Sequence, residues 1–216
     1  NEELRPKIER MLADKGFVVL FWADTGWVHF FTTEPAKTPD DVRKLKIFSW
    51  AGDTKTERVY RKSGFQPVPM ETAEILAGLK TGRIDAVPMP PFAAMAGQIN
   101  TSADHMLQLK WAPLVGAFVV NKKTWDALPA DLRSRYAVSA RGAGKVIQKF
   151  GRKESENSVI AMQKRGLKVQ VVDAALEEQW REAAREAWPI IRGDLVPADI
   201  FDEVQKVLAD YRAGKK

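Results

Sequence analysis

The side chains that usually carry catalysis or bind metals are scarce in this sequence. The 216 residues include two histidines, His29 and His105, and no cysteine. This excludes disulfides and thiolate metal sites, and it leaves little for a histidine-based metal centre. His29 with Asp24 or Asp85 could form an acid–base pair, but a lone histidine beside a predicted strand is usually structural. Since nucleophile-elbow, phosphate-loop and HExxH motifs are also absent, we expect no enzyme, no metal and no cofactor.

The most informative stretch, residues 38–48, predicts a short helix followed by a strand. Thr38 can cap the helix, Pro39 suits its first position, and the next two residues are aspartates that favour the positive end of the helix dipole. Residues 46–48 then predict a strand, and the ends of such strands are where α/β proteins meet their ligands. Taken alone, the stretch could also be a plain connection between a helix and a strand.

Predicted helices and strands alternate along the rest of the chain, which indicates an α/β architecture. Further helices are predicted over 3–15, 54–63, 71–80, 92–100, from 129 onward, 175–192 and 197–212, and further strands over 17–21, 28–33, 84–87, 106–121 and 167–172. Residues 22–27 predict a turn between two strands. The long helix contains Gly142, Gly144 and Gly151, which we expect to weaken or bend it.

Composition is typical of a globular protein whose hydrophobic content of 45% can supply a core. The longest apolar run, residues 17–23, is far shorter than a membrane span. The net charge of +6 equals the excess within residues 129–165, where nine basic residues outnumber three acidic ones. No aromatic interleaving or nucleic-acid motif accompanies these charges, so they predict a solvated helix face or a surface for a membrane partner.

Four segments together resemble a known family. Residues 38–48, 64–70, 74–86 and 120–129 are similar, in order and spacing, to the DctP-type solute-binding proteins of tripartite ATP-independent periplasmic (TRAP) transporters. Each segment is weakly specific by itself, but the combination is highly specific and the resemblance covers nearly the whole chain. It implies an α/β, two-lobed periplasmic-binding-protein-like fold with a long hinge helix, in which the N-terminal part of lobe one is missing from this sequence.

The resemblance also implies a division into lobes and a function. Lobe two would comprise 26–114 and 155–216, whereas 1–25 and 115–154 would be a remnant of lobe one with the crossing strand and hinge helix. The protein would be a periplasmic receptor that closes around a small-molecule ligand in the cleft between the lobes and delivers it to the membrane subunits of a TRAP transporter. The sequence begins without an initiator methionine, so an export signal could have been removed.

The family's carboxylate-binding residue is replaced in this chain. Relatives carry an arginine at the position of Phe48, often a second basic residue at that of Val28, and often an asparagine near Met89. Lys46 is a weak candidate for a replacement cation. We therefore expect an apolar, aromatic pocket for a ligand with a nonpolar or ring-containing part. The candidate ligand-binding residues are Trp22, Trp27, Phe48, Ser49, Trp50, Met89, Phe92 and Trp111, although several of the aromatic ones could instead belong to a lobe core.

Two other functions fit the same sequence. A ligand-sensing or scaffold module could have kept the fold and lost transport, which the missing arginine and the missing N-terminal part both permit. A nucleic-acid binder could use the basic helix, although we expect no nucleic-acid partner because the accompanying motifs are absent. Binding of DNA or RNA at low salt would distinguish this second alternative.

Overall fold

Helices and strands alternate in the computed structural model, which describes residues 4–214. The elements are, in chain order, α1 (Arg5–Asp14), β1 (Phe17–Thr32), α2 (Pro39–Arg43), β2 (Lys46–Trp50), α3 (Thr54–Lys62), β3 (Gln66–Met70), α4 (Ile75–Lys80), β4 (Ala86–Met89), α5 (Pro91–Ala96), β5 (His105–Asn121), α6 (Lys122–Asp126), α7 (Ala130–Gln163), β6 (Lys168–Gln170), α8 (Ala174–Ile191) and α9 (Ala198–Arg212). The predicted helix start at residue 3 lies outside the described residues.

The strands form one mixed sheet in the order β3-β2-β4-β1-β5-β6. Strand β2 is parallel to β3 and β4, and β5 is parallel to β6, whereas β1 is antiparallel to both of its neighbours. The carboxyl ends of β2, β3 and β4 therefore lie at one edge, and β1 enters the sheet at that same edge.

Hydrophobic clusters cover both faces of the sheet, as expected when helices pack on either side. The first cluster is centred on Phe31, Phe48 and Val87 and extends to α4, α5 and α7. The second is centred on Phe30 and Ile47 and extends to α2 and α8. Because successive residues of a strand point to opposite faces, neighbours such as Ile47 and Phe48 enter different clusters.

The capped helix predicted before β2 is confirmed. The backbone N–H of Asp41 donates to Thr38 Oγ1 over 3.1 Å, and the backbone N–H of Thr38 donates to Asp41 Oδ2 over 2.9 Å. This reciprocal pair satisfies backbone donors at the start of α2, as in other capping boxes. Burial of Pro39 and Val42 then directs the chain into β2.

The turn predicted at residues 22–27 is wrong, because β1 runs without a break from Phe17 to Thr32. Its first part pairs with β5 as a two-stranded ribbon, from Phe17 opposite Asn121 to Val28 opposite Ala112. The Asp-Thr-Gly sequence is accommodated as an irregularity between Asp24 and Trp27. There the Gly26 N–H donates to Asp24 Oδ1 over 2.8 Å, and Gly26 has a φ of 106°.

The long helix α7 is continuous over 34 residues, so the expected weakening by its glycines does not interrupt it. Two of these glycines lie where α7 meets β1. A Cβ on Gly144 would lie 2.8 Å from the Phe21 side chain, and one on Gly151 would lie 2.9 Å from the Asp24 carbonyl oxygen. The glycines therefore permit a close approach of the helix to the strand.

Strand β3 lies at the edge of the sheet and contains Pro67 and Pro69. The Met70 carbonyl accepts a hydrogen bond from Ala51 N–H, which continues from β2. The backbone groups of Gln66, Val68 and Met70 consequently face β2, and the two prolines face outward. In the described part of the chain, none of the helices has both the length and the hydrophobicity of a membrane span.

Candidate functional site

Two candidate side chains, Trp50 and Met89, form a row with His29 across adjacent strands at the carboxyl edge of the sheet. Ile47 of β2 pairs with Ala86 of β4, so Trp50 and Met89, each three residues further on, hold corresponding positions on the two strands and point to the same face. Met89 in turn lies directly opposite His29 of β1. Residues paired in this way point to the same face. The row therefore lies on the face that carries the Phe31 and Phe48 cluster.

Phe48 is buried beside this row, two residues before Trp50 on the same face of β2. Its side chain is only 1% exposed, and its ring meets that of Trp50 edge-to-face at 5.3 Å between centroids. Met89 packs against the same cluster. The side chain at the position where the resemblance implies an arginine is therefore an apolar part of the core, and Trp50 and Met89 lie next to it.

Two of the predicted aromatic residues are open to solvent near this edge. Trp50 is 50% exposed and Phe92 is 51% exposed. Phe92 lies in the first turn of α5, which begins directly after β4 and packs on α7. An exposed tryptophan next to a buried apolar cluster can bind the nonpolar face of a ligand.

Trp27 and His29 bring polar chemistry to the same edge. The Lys110 ammonium lies over the Trp27 ring, 5.9 Å from its centroid. His29 Nδ1 lies 3.3 Å from the Leu107 carbonyl oxygen, which can only accept a hydrogen bond, so Nδ1 carries the proton. Burial and the positive charge of Lys110 hold the pKa of His29 below its ordinary value of 6.5, although the Leu107 hydrogen bond acts in the opposite direction.

Trp111 is not brought into this row. Its ring lies 5.6 Å from that of Phe30 and 5.4 Å from that of Trp180, in the cluster on the other face of the sheet. The Trp180 indole is itself fixed because its Nε1 donates to the Lys37 carbonyl over 2.8 Å. Trp111 thus packs beside the second core.

Trp22 also lies apart from the row, in the two-stranded ribbon. Its indole Nε1 donates to Glu9 Oε1 over 2.8 Å, and its carbonyl accepts from Gln148 Nε2 over 2.7 Å. These bonds commit Trp22 to contacts of the ribbon with α1 and α7.

Ser49 is buried on the face opposite to Phe48. Among the described protein groups, its hydroxyl has no hydrogen-bond partner. Its neighbour on β3 is Pro69, which has no backbone N–H. Lys46 lies at the opposite end of β2, where its ammonium is 3.5 Å from Asp85 Oδ2, and therefore does not reach the row.

Sequence reasoning missed Lys110 and gave His29 no place in the ligand site. Lys110 is near Trp27 because Gln108, Leu109, Lys110 and Trp111 of β5 all lie between the pairs Leu107–Phe30 and Ala112–Val28. The only signal in the sequence is a lysine beside a tryptophan near the start of a long predicted strand. That signal does not show that these four residues form a bulge opposite His29.

Comparison with known proteins identifies the family. The model of bacterial extracellular solute-binding protein, family 7 (DctP), matches residues 1–192. The C4-dicarboxylate-binding periplasmic protein DctP of Rhodobacter capsulatus is 27% identical over 155 residues, which are 72% of this chain and 46% of that protein. The 2,3-diketo-L-gulonate-binding periplasmic protein YiaO of Escherichia coli is 27% identical over 166 residues, covering 75% and 49%. The chain thus spans about half the length of these curated relatives.

Solved structures share the fold. A TRAP periplasmic solute-binding protein from Chromohalobacter salexigens with bound D-glucuronate superposes with a TM-score of 0.85 at 20% identity, covering 94% of this chain and 67% of that one. One from Ralstonia eutropha with bound (S)-2-acetolactate also has a TM-score of 0.85 at 20% identity, covering 96% and 68%. The predicted α/β fold of the TRAP solute-binding type is therefore confirmed. With the match over residues 1–192, this chain belongs to family 7 of the bacterial extracellular solute-binding proteins.

Proposed function

We propose that this chain is part of a periplasmic TRAP receptor that captures a small organic acid and delivers it to the transporter's membrane subunits. Family membership and the ligands of relatives, which include C4-dicarboxylates and D-glucuronate, support the general class. Binding without turnover is the expected activity, because the relatives are solute-binding proteins.

The ligand that best fits this chain carries a nonpolar or aromatic part. The observation that supports this choice is the row of Trp50, Met89 and His29 beside the buried Phe48. A guanidinium could bind a carboxylate with two parallel hydrogen bonds, whereas the buried Phe48 ring has no group that could do so. The site should therefore gain affinity from nonpolar contact more than sites that keep the arginine.

Ligand-stabilised closure about a hinge is the mechanism that we propose. The proposal takes 26–114 and 155–216 as lobe two, and 1–25 with 115–154 as part of lobe one. Strands β1 and β5 would cross between the lobes, and α7 would support the crossing point. A ligand that contacts both lobes would shift the population toward the closed form.

Contacts between α7 and β1 support this location for the hinge. Arg152 Nε donates to Asp24 Oδ2 over 2.9 Å, and Ser155 Oγ donates to the Thr25 carbonyl over 3.3 Å. Burial alone would raise the pKa of Asp24, but the hydrogen bonds from Arg152 and Gly26 lower it, so the carboxylate stays charged. The irregular part of β1 is therefore held at several points by one helix.

Ligand-induced stabilisation of the full-length protein tests this function. A panel of dicarboxylates, sugar acids, aromatic acids and neutral aromatic compounds would be screened by thermal unfolding. We expect aromatic acids to give the largest rise in melting temperature, because they should bind most tightly. A ligand at a hundredfold its Kd stabilises the folded state by about 2.7 kcal/mol. Uptake of the same acid by cells should then require the membrane subunits.

Trp50→Ala should weaken the binding of an aromatic acid by roughly tenfold, because ring contacts are lost while the fold is kept. Tyr211→Ala, which removes another exposed aromatic ring from α9, is the control and should leave affinity unchanged. Tight binding of a simple dicarboxylate that is unaffected by Trp50→Ala and by Phe48→Ala would contradict the aromatic site. Failure of every compound to bind would contradict the receptor function.

A further inference from the structure

Strand β5 carries an unusually large bulge at the carboxyl edge of the sheet. Phe30 pairs with Leu107 and Val28 pairs with Ala112, so four residues of β5 face the single residue His29 of β1. Bulges redirect side chains and occur often beside binding sites. Here the bulge presents Lys110 next to the row formed by Trp50, Met89 and His29.

The Lys110 ammonium is not neutralised by the protein. Within residues 4–214 it has no carboxylate partner, and its recorded contact is with the face of the Trp27 ring. Two other lysines of the same sheet are paired: Lys168 lies 2.8 Å from Asp104 Oδ2, and Lys46 lies 3.5 Å from Asp85 Oδ2. A lysine over a tryptophan keeps its charge while its position is biased by the ring.

His29 does not supply a second positive charge near neutral pH. Its imidazole is partly buried, and its Nδ1 proton is directed at the Leu107 carbonyl. The other ring nitrogen, Nε2, is then an acceptor that can receive a hydrogen bond from a ligand hydroxyl or amide. Lys110 therefore supplies a cation, and His29 a neutral polar group, on this side of the row.

We propose that Lys110 binds the carboxylate of the ligand, in the role that the resemblance gives to an arginine at position 48. This inference rests on the proposed receptor function and names its ligand class: a carboxylate attached to one or two planar rings. Strands β2, β4, β1 and β5 are adjacent, so those of Trp50 and Lys110 are about 14 Å apart. A planar acid that contacts both side chains would bridge this separation across β4 and β1.

A lysine gives this recognition a different character from that of an arginine. Its ammonium acts as a point charge on a flexible stem and imposes no fork geometry on the carboxylate. Orientation of the ligand must then come from its rings against Trp50 and Met89. The site should accept carboxylates on rings of different shape and should reject uncharged analogues.

Matched acid and amide pairs test the role of Lys110. Benzoate, phenylacetate, cinnamate and indole-3-acetate, each with its amide, would be titrated into the full-length protein by calorimetry. We expect at least one acid to bind at least tenfold more tightly than its amide. Lys110→Met should remove this preference, and Lys110→Arg should retain most of it because the charge is kept.

Lys80→Met is the control, since it removes the same charge from the end of α4 and should leave affinity unchanged. As a second measurement, the pKa of His29 followed by NMR should rise when the acid binds and stay constant with the amide. Equal binding of acid and amide, or undiminished acid binding by Lys110→Met, would overturn this inference and leave the receptor function standing. If no acid and no neutral compound binds, both proposals fall.

Discussion

The two ends of strand β1 both carry large apolar residues but have very different surroundings. At its carboxyl end, Phe30 and Phe31 are fully buried between neighbouring strands and the helices on both faces. At its amino end the strand has β5 as its partner in a ribbon, and Phe118 of that ribbon is 53% exposed although it stacks on Phe21 at 5.2 Å. Burial along one strand is thus determined by the layers that cover it, and apolar residues alone do not ensure it.

The largest expected effect is on the buried end. Phe31→Ala should lower the free energy of unfolding by about 3–5 kcal/mol, because it leaves a cavity in the cluster shared with Phe48 and Met106. Phe118→Ala in the ribbon should cost roughly 1 kcal/mol, because much of that ring is already in water. Urea denaturation of both variants measures the difference. Equal losses would show that the ribbon is as well covered as the sheet.

An intermediate effect is expected where α7 touches β1. Gly151→Ala places a Cβ 2.9 Å from the Asp24 carbonyl oxygen, so the helix or the strand must shift, at a cost of about 1–3 kcal/mol. Gly142→Ala is the matched control on the same helix. Apart from its chain neighbours and the backbone of its own helix, no described atom lies within 4 Å of its added Cβ, so the better helix propensity should stabilise by roughly 0.5–1 kcal/mol. Thermal unfolding distinguishes the two signs, and stabilisation by Gly151→Ala would contradict the close contact.

The smallest effect concerns His29, at the junction between the ribbon and the sheet. Its pKa in the folded state is below the ordinary 6.5, because burial and Lys110 disfavour the charged ring. The unfolded state therefore takes up a proton first as pH falls. The contribution of His29 to the free energy of unfolding is complete above pH 6.5 and is lost as pH falls through the pKa of the folded state. Unfolding free energies of the wild type and His29→Gln, measured on both sides of that pH, should diverge. A constant difference between them would contradict the shift.

Local signals predicted the elements that depend on local chemistry. Thr38, Pro39 and Asp41 specify the start of α2 wherever the segment lies, because the cap bonds form within four residues. The turn predicted at residues 22–27 failed because pairing with β5 outweighs the local preference of Asp-Thr-Gly. Such pairing joins residues about ninety positions apart, and no local pattern records it.

The arrangement of the candidate site could not be predicted from the sequence. The resemblance singled out Phe48, through its spacing from Pro39, and it placed Trp50 and Met89 in segments that line or flank the cleft of the resembled proteins. Trp111 and Lys110 are adjacent in sequence, yet one lies beside the second core and the other beside Trp27. The bulge that separates them depends on the pairing of β5 with β1. The sequence alone therefore predicts an aromatic site without indicating the cation that we propose for it.

The prolines of β3 have a consequence for how molecules of this protein meet one another. An open sheet edge normally offers alternating N–H and C=O groups to which a strand of another molecule can add. On the outer side of β3, both positions that should donate are Pro67 and Pro69. An incoming strand would find acceptors without donors there. This edge is thereby protected against edge-to-edge aggregation at high protein concentration.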